Sequence, residues 1–197
     1  MLDEIKELTK SHFKNITDTN LNTRDPDIHK FWNETYEPIE NINIEWYKDL
    51  MIEINEDEWT DTVKDLPSEK ASGISMISYD IIKHIGKEAK KVLIKFYNEI
   101  IKNSFMPSAW LKAVIYPIPK LGDWNLDINK TRPITLLECP RKLLMKIITN
   151  RLTKILATHK EILGEHNFAA LSGKSMNEPI YLTNNIMEDA RKNKKEL

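Results

Sequence analysis

Two basic residues flank a short polar connector between two apolar stretches of the sequence. Lys120 follows the stretch 114–118, and Arg132 precedes the stretch 134–137. If these stretches pair as a hairpin, two positive charges stand close together at its connector end. Such a pair of cations could hold a phosphate group. Basic residues near turns are also common on solvated surfaces, so an edge hairpin with solvated basic residues remains the alternative at this point.

The elements that must position these cations are two short strands. Both stretches are apolar, prolines lie within or beside them at Pro117, Pro119 and Pro133, and a polar connector lies between them. A proline cannot donate the hydrogen bond that a central strand requires. The sequence therefore predicts a small antiparallel hairpin at the edge of a sheet.

Helices account for most of the remaining chain. Apolar residues recur at helical spacing in several segments, and capping residues precede some of them. Asn55 is expected to cap one helix, Ser78 another that Gly86 closes, and Ser175 with Glu178 forms a possible capping box. The predicted helices span residues 2–16, 56–66, 87–103, 140–159 and 176–192. The fold class expected is α+β, helix-rich, with a small hairpin.

The charge of the chain is divided sharply between its two parts. Residues 1–69 hold 18 acidic and 7 basic residues, a net charge of −11, whereas residues 70–197 hold 12 acidic and 22 basic residues, a net charge of +10. This asymmetry predicts an acidic helical N-terminal extension, 1–69, attached to a body that favours polyanions such as nucleic acid. Ordinary surface lysines on helices are the alternative explanation.

Several classes of protein do not fit the sequence. No apolar run approaches the roughly 20 residues of a membrane span, and the N-terminus does not resemble a secretory signal. The single cysteine, Cys139, excludes an internal disulfide and indicates an intracellular, reducing compartment, with nucleus and cytoplasm not distinguished. No metal-binding histidine pair, phosphate-cradling glycine motif or Asp-Asp pair occurs. We therefore expect neither a metal site nor a complete catalytic site within these residues.

Four segments, taken in order, resemble the amino-terminal half of the reverse transcriptases of non-LTR, LINE-like retrotransposons. They are Lys-Ala-Ser-Gly at 70–73, Trp-Leu-Lys-Ala-Val-Ile-Tyr-Pro-Ile-Pro-Lys at 110–120, Arg-Pro-Ile-Thr-Leu-Leu at 132–137, and the segment from Asn-Phe at 167–168 to Gly-Lys-Ser at 173–175. The resemblance covers about residues 70–195. It implies an incomplete right-hand polymerase fold, with the fingers and the first part of the palm in residues 70–197.

The resemblance also implies roles for individual residues. Basic residues of the fingers hairpin contact the triphosphate of the incoming nucleotide in this family, which carries over to Lys120 and Arg132. Contacts with the backbone of the RNA template or DNA primer carry over to four further residues: Lys70, Lys142, Arg151 and Lys174. Lys142 and Arg151 could instead be the solvated face of a helix, and Lys174 a loop cation.

Catalysis in the family uses Mg²⁺ held by palm aspartates, and by resemblance those aspartates and the rest of the palm and thumb would follow residue 197. The expected function is therefore that of a reverse transcriptase fragment whose parent activity is RNA-directed DNA polymerisation. Alone, the fragment is expected to be inactive, with uncovered apolar surface where the palm sheet would lie. A nucleic-acid-binding remnant or a helical interaction protein without catalysis is the alternative.

Overall fold

The described part of the chain is mostly helical. The computed structural model describes residues 2–19, 42–120, 122, 124–159, 162–163 and 175–195. The helices among these residues are α1 (Leu2–Thr19), α2 (Glu56–Lys64), α3 (Tyr79–Lys83), α4 (Lys87–Asn103), α5 (Cys139–Thr158) and α6 (Asn177–Asn193). With one two-stranded sheet, they confirm the α+β, helix-rich class. None of these helices is long and apolar enough to cross a membrane.

The sheet is the predicted antiparallel hairpin, formed by β1 (Val114–Pro119) and β2 (Thr131–Leu136). Ile118 lies opposite Arg132, and Pro117 lies opposite Pro133. Strand β2 begins three residues before the predicted stretch 134–137 and includes Pro133. The two strands are consequently equal in length, with six residues each.

Three prolines fit into this hairpin because of where its hydrogen bonds fall. The Lys120 amide donates to the Lys130 carbonyl at 2.8 Å, which continues the register as a hydrogen-bonded pair. Such pairs alternate with non-hydrogen-bonded pairs in an antiparallel ladder. Pro117, Pro119 and Pro133 therefore occupy non-hydrogen-bonded positions, where a missing N–H costs no ladder bond. The outer edges of both strands lose donors instead, which discourages pairing with a further strand.

The predicted helix caps are largely confirmed. The Asn55 side chain accepts the Glu58 amide hydrogen at 2.9 Å, and the Ser78 hydroxyl accepts that of Ile81 at 3.3 Å. The prediction that Gly86 closes the helix after Ser78 is wrong. That helix, α3, is only five residues long and ends at Lys83. Gly86 has an extended backbone conformation and is the N-cap of the next helix, α4.

One hydrophobic core joins α2, α3, α4 and α5. Tyr97 of α4 is fully buried at its centre, with its ring centroid 5.5 Å from that of Trp59 and 6.1 Å from that of Trp110. Trp59 belongs to α2, and Leu66 lies just after the end of α2. Both residues pack in the same core as Leu143 of α5. Packing therefore crosses the boundary between residues 69 and 70. The division of the chain into two functional units at that boundary stays a prediction.

Helix α6 has the predicted bounds to within one residue but exposes most of its apolar residues. The Ser175 amide donates to the Glu178 carboxylate at 3.3 Å, as expected for one half of a capping box. Ile180 and Ile186 are expected to face inward, but they are 54% and 50% exposed, and Ala190 alone of the described residues of α6 is buried. The helix thus presents an apolar side to its surroundings.

Candidate nucleotide and nucleic-acid interface

The two faces of the hairpin differ in chemistry. Side chains of directly opposite residues share a face, and residues two apart along a strand return to it. One face carries Val114, Tyr116, Ile118, Arg132, Ile134 and Leu136 and continues at the connector end with the opposed pair Lys120 and Lys130; we call it the cationic face. The other, the proline face, carries no charge; its members are Ile115, Pro117, Pro119, Thr131, Pro133 and Thr135. Only the cationic face can attract an anion.

Lys120 lies at the connector end of the cationic face. Its side chain is exposed, and its Nζ donates to the Asn129 carbonyl at 3.3 Å. The connector that supplies this carbonyl is ordered by Asp127, whose carboxylate accepts the Asn129 amide hydrogen at 3.0 Å and its side-chain NH₂ at 2.9 Å. These hydrogen bonds, the backbone one first, lower the pKa of Asp127. An ammonium group has three donors, so Lys120 keeps donors for an external acceptor.

Arg132 lies on the neighbouring strand. It is exposed, and within the part of the chain that the structure describes it makes no ion pair. Opposite Arg132 is Ile118, and Lys120 is two residues further along, which places the Cα atoms of the two basic residues diagonally, about 7–8 Å apart. The structure thus brings together the two residues that the sequence predicts to hold a phosphate.

The Lys70–Gly73 segment packs against the junction between the hairpin and α5. An added Cβ on Gly73 would lie 2.7 Å from the Glu138 nitrogen and 2.8 Å from its Cα, so glycine is required by close backbone approach. The buried Glu138 carboxylate accepts hydrogen bonds from the amide, at 2.9 Å, and the hydroxyl of Ser75. The first family-like segment therefore contacts the residue that directly follows the third.

Two of the predicted nucleic-acid contacts lie near this junction. Lys70 is exposed in the segment itself. Lys142, on the first turns of α5, is half-buried, and its Nζ lies 5.2 Å from the centre of the Tyr79 ring. This cation–π contact orients the ammonium group without neutralising its charge. Burial raises the pKa of Tyr79.

The placement of Arg151 differs from both sequence-based interpretations. Its residue is only 9% exposed, so it is neither on the solvated face of α5 nor available for a phosphate. Its guanidinium forms two hydrogen bonds with the Glu58 carboxylate, at 2.7 and 2.6 Å, and donates to three backbone carbonyls. The carbonyls are those of Leu50, Ile52 and Glu53. We therefore remove Arg151 from the set of nucleic-acid contacts.

Two further basic residues of the segment 70–197 also interact with residues of the acidic segment 1–69. Lys90 of α4 pairs with Glu56 at 3.1 Å, and Lys146 of α5 donates to the Asp65 carbonyl at 3.1 Å. The net charge of residues 70–197 therefore overstates the free positive surface. Lys174, the remaining predicted contact, lies outside the described residues.

Sequence reasoning missed Glu138, which holds the Lys70–Gly73 segment in place. An acidic residue directly before Cys-Pro at the start of a helix was the available signal. No group of three or more His, Cys, Asp or Glu side chains among the described residues could hold a metal ion. The acidic first turn of α2 instead places Glu56 and Glu58 against Lys90 and Arg151.

Comparison with known proteins identifies the class to which this arrangement is related. No family model matches the chain. Several curated relatives are RNA-directed DNA polymerases of non-LTR retrotransposons, at modest identity and over part of the chain. This confirms the resemblance seen in the sequence.

Three relatives illustrate the extent of the similarity. A probable RNA-directed DNA polymerase from transposon BS of Drosophila melanogaster is 33% identical over 136 residues, 68% of this chain and 15% of that protein. The RNA-directed DNA polymerase from mobile element jockey of the same species is 31% identical over 87 residues, 44% of this chain and 10% of that protein. The transposon TX1 uncharacterized 149 kDa protein of Xenopus laevis is 25% identical over 140 residues, 69% of this chain and 10% of that protein. The chain thus spans 10–15% of the length of these relatives.

Proposed function

We propose that this chain is the part of a retrotransposon reverse transcriptase that holds the incoming nucleotide and the nucleic-acid backbone. It corresponds to the fingers and the first part of the palm of an incomplete right-hand polymerase fold, and the parent activity is RNA-directed DNA polymerisation. The observation that carries the proposal is the cationic face, where Lys120 and Arg132 are exposed side by side on one hairpin. Similarity to polymerases of mobile elements supports the same assignment.

The chemical contribution of Lys120 and Arg132 is electrostatic. A nucleoside triphosphate carries several negative charges, and charge on its phosphate oxygens is redistributed during phosphoryl transfer. Cations already fixed on a strand stabilise that charge without reorganising at the moment of reaction. Arg132 can bind two phosphate oxygens through its planar guanidinium, whereas Lys120 acts as a compact point charge.

Lys70 and Lys142 are proposed to contact the sugar-phosphate backbone of the RNA template or DNA primer. Both residues lie close to the Gly73–Glu138 contact, next to the base of the hairpin. Backbone contacts position a strand without reading its sequence. Lys174 is proposed for the same role from the resemblance alone.

Catalysis is proposed to need residues that this chain does not supply. Mg²⁺ in the intact polymerase would polarise the reacting phosphate and activate the 3′-hydroxyl. The described residues do not fit a metal site, so this chain is assigned phosphate binding and no step through the metal. The remaining palm and thumb of a longer polymerase are the proposed partners.

A primer-extension assay tests the lack of activity. The 197-residue chain, incubated with primed RNA template, dNTPs and Mg²⁺, is expected to add no nucleotide. Template-dependent extension, retained after repurification and lost on heat denaturation of the protein, would contradict this part of the proposal.

A titration with deoxynucleoside triphosphate tests the binding role. Lys120→Ala and Arg132→Ala are each expected to raise the dissociation constant by about tenfold, as for loss of one charge-assisted contact. Lys112→Ala is the matched control, because it removes one exposed lysine at the opposite end of β1. An equal loss in all three variants would indicate non-specific charge attraction and count against the hairpin site.

A further inference from the structure

Tyr116 is a large aromatic residue exposed on the cationic face. It is 61% exposed, more than the neighbouring Ile115, Ile118 and Ile134 of the hairpin, which are 49%, 44% and 39% exposed. It lies opposite Ile134, so Arg132 is its diagonal neighbour on the other strand. Diagonal neighbours lie about 7–8 Å apart at Cα, within reach of long and aromatic side chains.

Tyr116 lies nearer to Arg132 than to Lys120. Lys120 directly follows β1 and is four residues from Tyr116, or about 13 Å at the usual rise of a strand. Ile118, between them, and Ile134, opposite Tyr116, are 44% and 39% exposed and provide an apolar surface. The face therefore offers an exposed aromatic ring beside Arg132, with Lys120 further towards the connector.

This combination is specific to one side of the hairpin. The proline face has neither an aromatic nor a charged residue. An aromatic side chain beside cations is the arrangement that binds nucleobases with their phosphates, because each base has a π-face whatever its identity.

We propose that Tyr116 stacks on the nucleobase of the nucleotide whose phosphates contact Lys120 and Arg132. This inference rests on the proposed function and adds a base-binding residue to the same site. Stacking is tolerant of base identity, so Tyr116 contributes affinity for all four nucleotides and not selection among them. The base belongs either to a free nucleoside triphosphate or to a single strand, and both present the same chemistry to the ring.

The test compares ligands with and without a base. Isotope-labelled or fluorescently monitored wild-type chain is titrated with dNTP and with inorganic tripolyphosphate. A second pair of ligands is a short single-stranded oligonucleotide and an abasic oligonucleotide of the same length. Tyr116→Ala is expected to weaken binding of a base-containing ligand about tenfold, the range of one base–aromatic stack, and to leave its base-free counterpart unchanged. Tyr116→Phe is expected to restore binding, since the ring is retained.

Two controls separate this role from general effects. Tyr181→Ala removes a tyrosine that is similarly exposed, at 67%, but lies on α6, and it is expected to change nothing. Trp124→Ala tests the exposed aromatic residue of the connector.

The possible outcomes distinguish the two proposals. If Tyr116→Ala loses affinity for only one of the two base-containing ligands, dNTP or the oligonucleotide, stacking is supported and that ligand is the source of the base. Equal loss with base-free ligands, no loss with any ligand, or loss in Trp124→Ala in place of Tyr116→Ala overturns the stacking role. If Lys120→Ala and Arg132→Ala weaken all ligands while Tyr116→Ala weakens none, the proposed function stands and this inference fails. If the lysine and arginine variants also have no effect, the proposed function fails.

Discussion

Arg151 on α5 and Glu58 on α2 form an ion pair with two parallel hydrogen bonds, Nε to Oε1 at 2.7 Å and Nη2 to Oε2 at 2.6 Å. The side chains are only 10% and 24% exposed. The Arg151 guanidinium also donates hydrogen bonds to three backbone carbonyls. Arg151 therefore links the segment 50–58 to α5, the helix that follows the hairpin. Part of the acidic segment is thus integral to the core that supports the proposed site.

Breaking this pair is expected to destabilise the fold. Arg151→Ala leaves Glu58 and three carbonyls without their donor, and removal of one partner of a buried pair costs about 3–5 kcal/mol. Arg151→Lys restores little, because a lysine cannot reproduce the two parallel bonds. Chemical denaturation checks this. The exposed pair Lys64–Asp61 is the control, and Lys64→Ala should change the free energy of unfolding by less than about 1 kcal/mol. Equal effects of Arg151→Ala and Lys64→Ala would contradict the assigned role.

Gly73→Ala is expected to displace the Lys70–Gly73 segment from α5. The added methyl group would meet backbone atoms of Glu138 at 2.7 and 2.8 Å, which cannot move aside as a flexible side chain would. A cost of about 1–3 kcal/mol is typical of such overpacking, and amide hydrogen exchange should accelerate at Ser75. Gly86→Ala is the control, since nothing lies within 4 Å of its added Cβ. Unchanged exchange at Ser75 in Gly73→Ala would refute the close approach.

Tyr97→Phe is expected to lower stability and to flatten its dependence on high pH. The buried Tyr97 hydroxyl donates to the Pro140 carbonyl at 2.6 Å, and its removal leaves that carbonyl unsatisfied, at about 1–2 kcal/mol. Burial raises the pKa of Tyr97 above its ordinary value. Its contribution is therefore complete below the unfolded-state pKa of about 10 and is lost as the pH rises from there towards the folded-state pKa.

Thermal melts from pH 7 to pH 11 measure this effect. The wild type should lose more stability above pH 10 than Tyr97→Phe does, whereas Tyr181→Phe, at an exposed site, should follow the wild type. Parallel curves for Tyr97→Phe and the wild type would show that Tyr97 is not the titrating group.

The connector of the hairpin is expected to lose order in acid. The Asn129 hydrogen bonds lower the pKa of Asp127, so its ionised form stabilises the connector. This contribution is fully present above the unfolded-state value of about 3.9 and is lost as the pH falls through the lower folded-state value. The amide resonance of Asn129, followed by NMR, should titrate with a midpoint below 3.9, and Asp127→Ala should abolish that transition. A midpoint above the ordinary aspartate value would contradict the described hydrogen bonds.

Local features of the sequence predict much of the fold. Apolar stretches with prolines and flanking cations predict the hairpin, and apolar periodicity with Asn55 and Ser78 as caps predicts the helices. These signals lie within a few neighbouring residues. The proposed phosphate-binding pair is predictable for the same reason, since Lys120 and Arg132 belong to one hairpin.

The remaining features depend on contacts between distant parts of the chain. Arg151 and Glu58 are 93 residues apart, and Ser75 and Glu138 are 63 apart, so no local pattern indicates that these residues meet. Charge counting likewise cannot show which cations are already paired. Periodicity predicts α4 but also places Val92 on its inner face, whereas Val92 is 69% exposed and Tyr97 is fully buried. The side of an amphipathic helix that is buried depends on the elements that pack against it, which the sequence of the helix alone does not show.

Chemical-shift mapping with inorganic tripolyphosphate tests the central claim most directly. In spectra of the isotope-labelled chain, we expect the largest amide shifts at residues 118–132, with reduced shifts in Lys120→Ala and Arg132→Ala and full shifts in Lys112→Ala. This result would locate a phosphate-binding site at the connector end of the hairpin. Shifts spread evenly over the lysines of α4, α5 and α6, or no shifts at low salt, would contradict it.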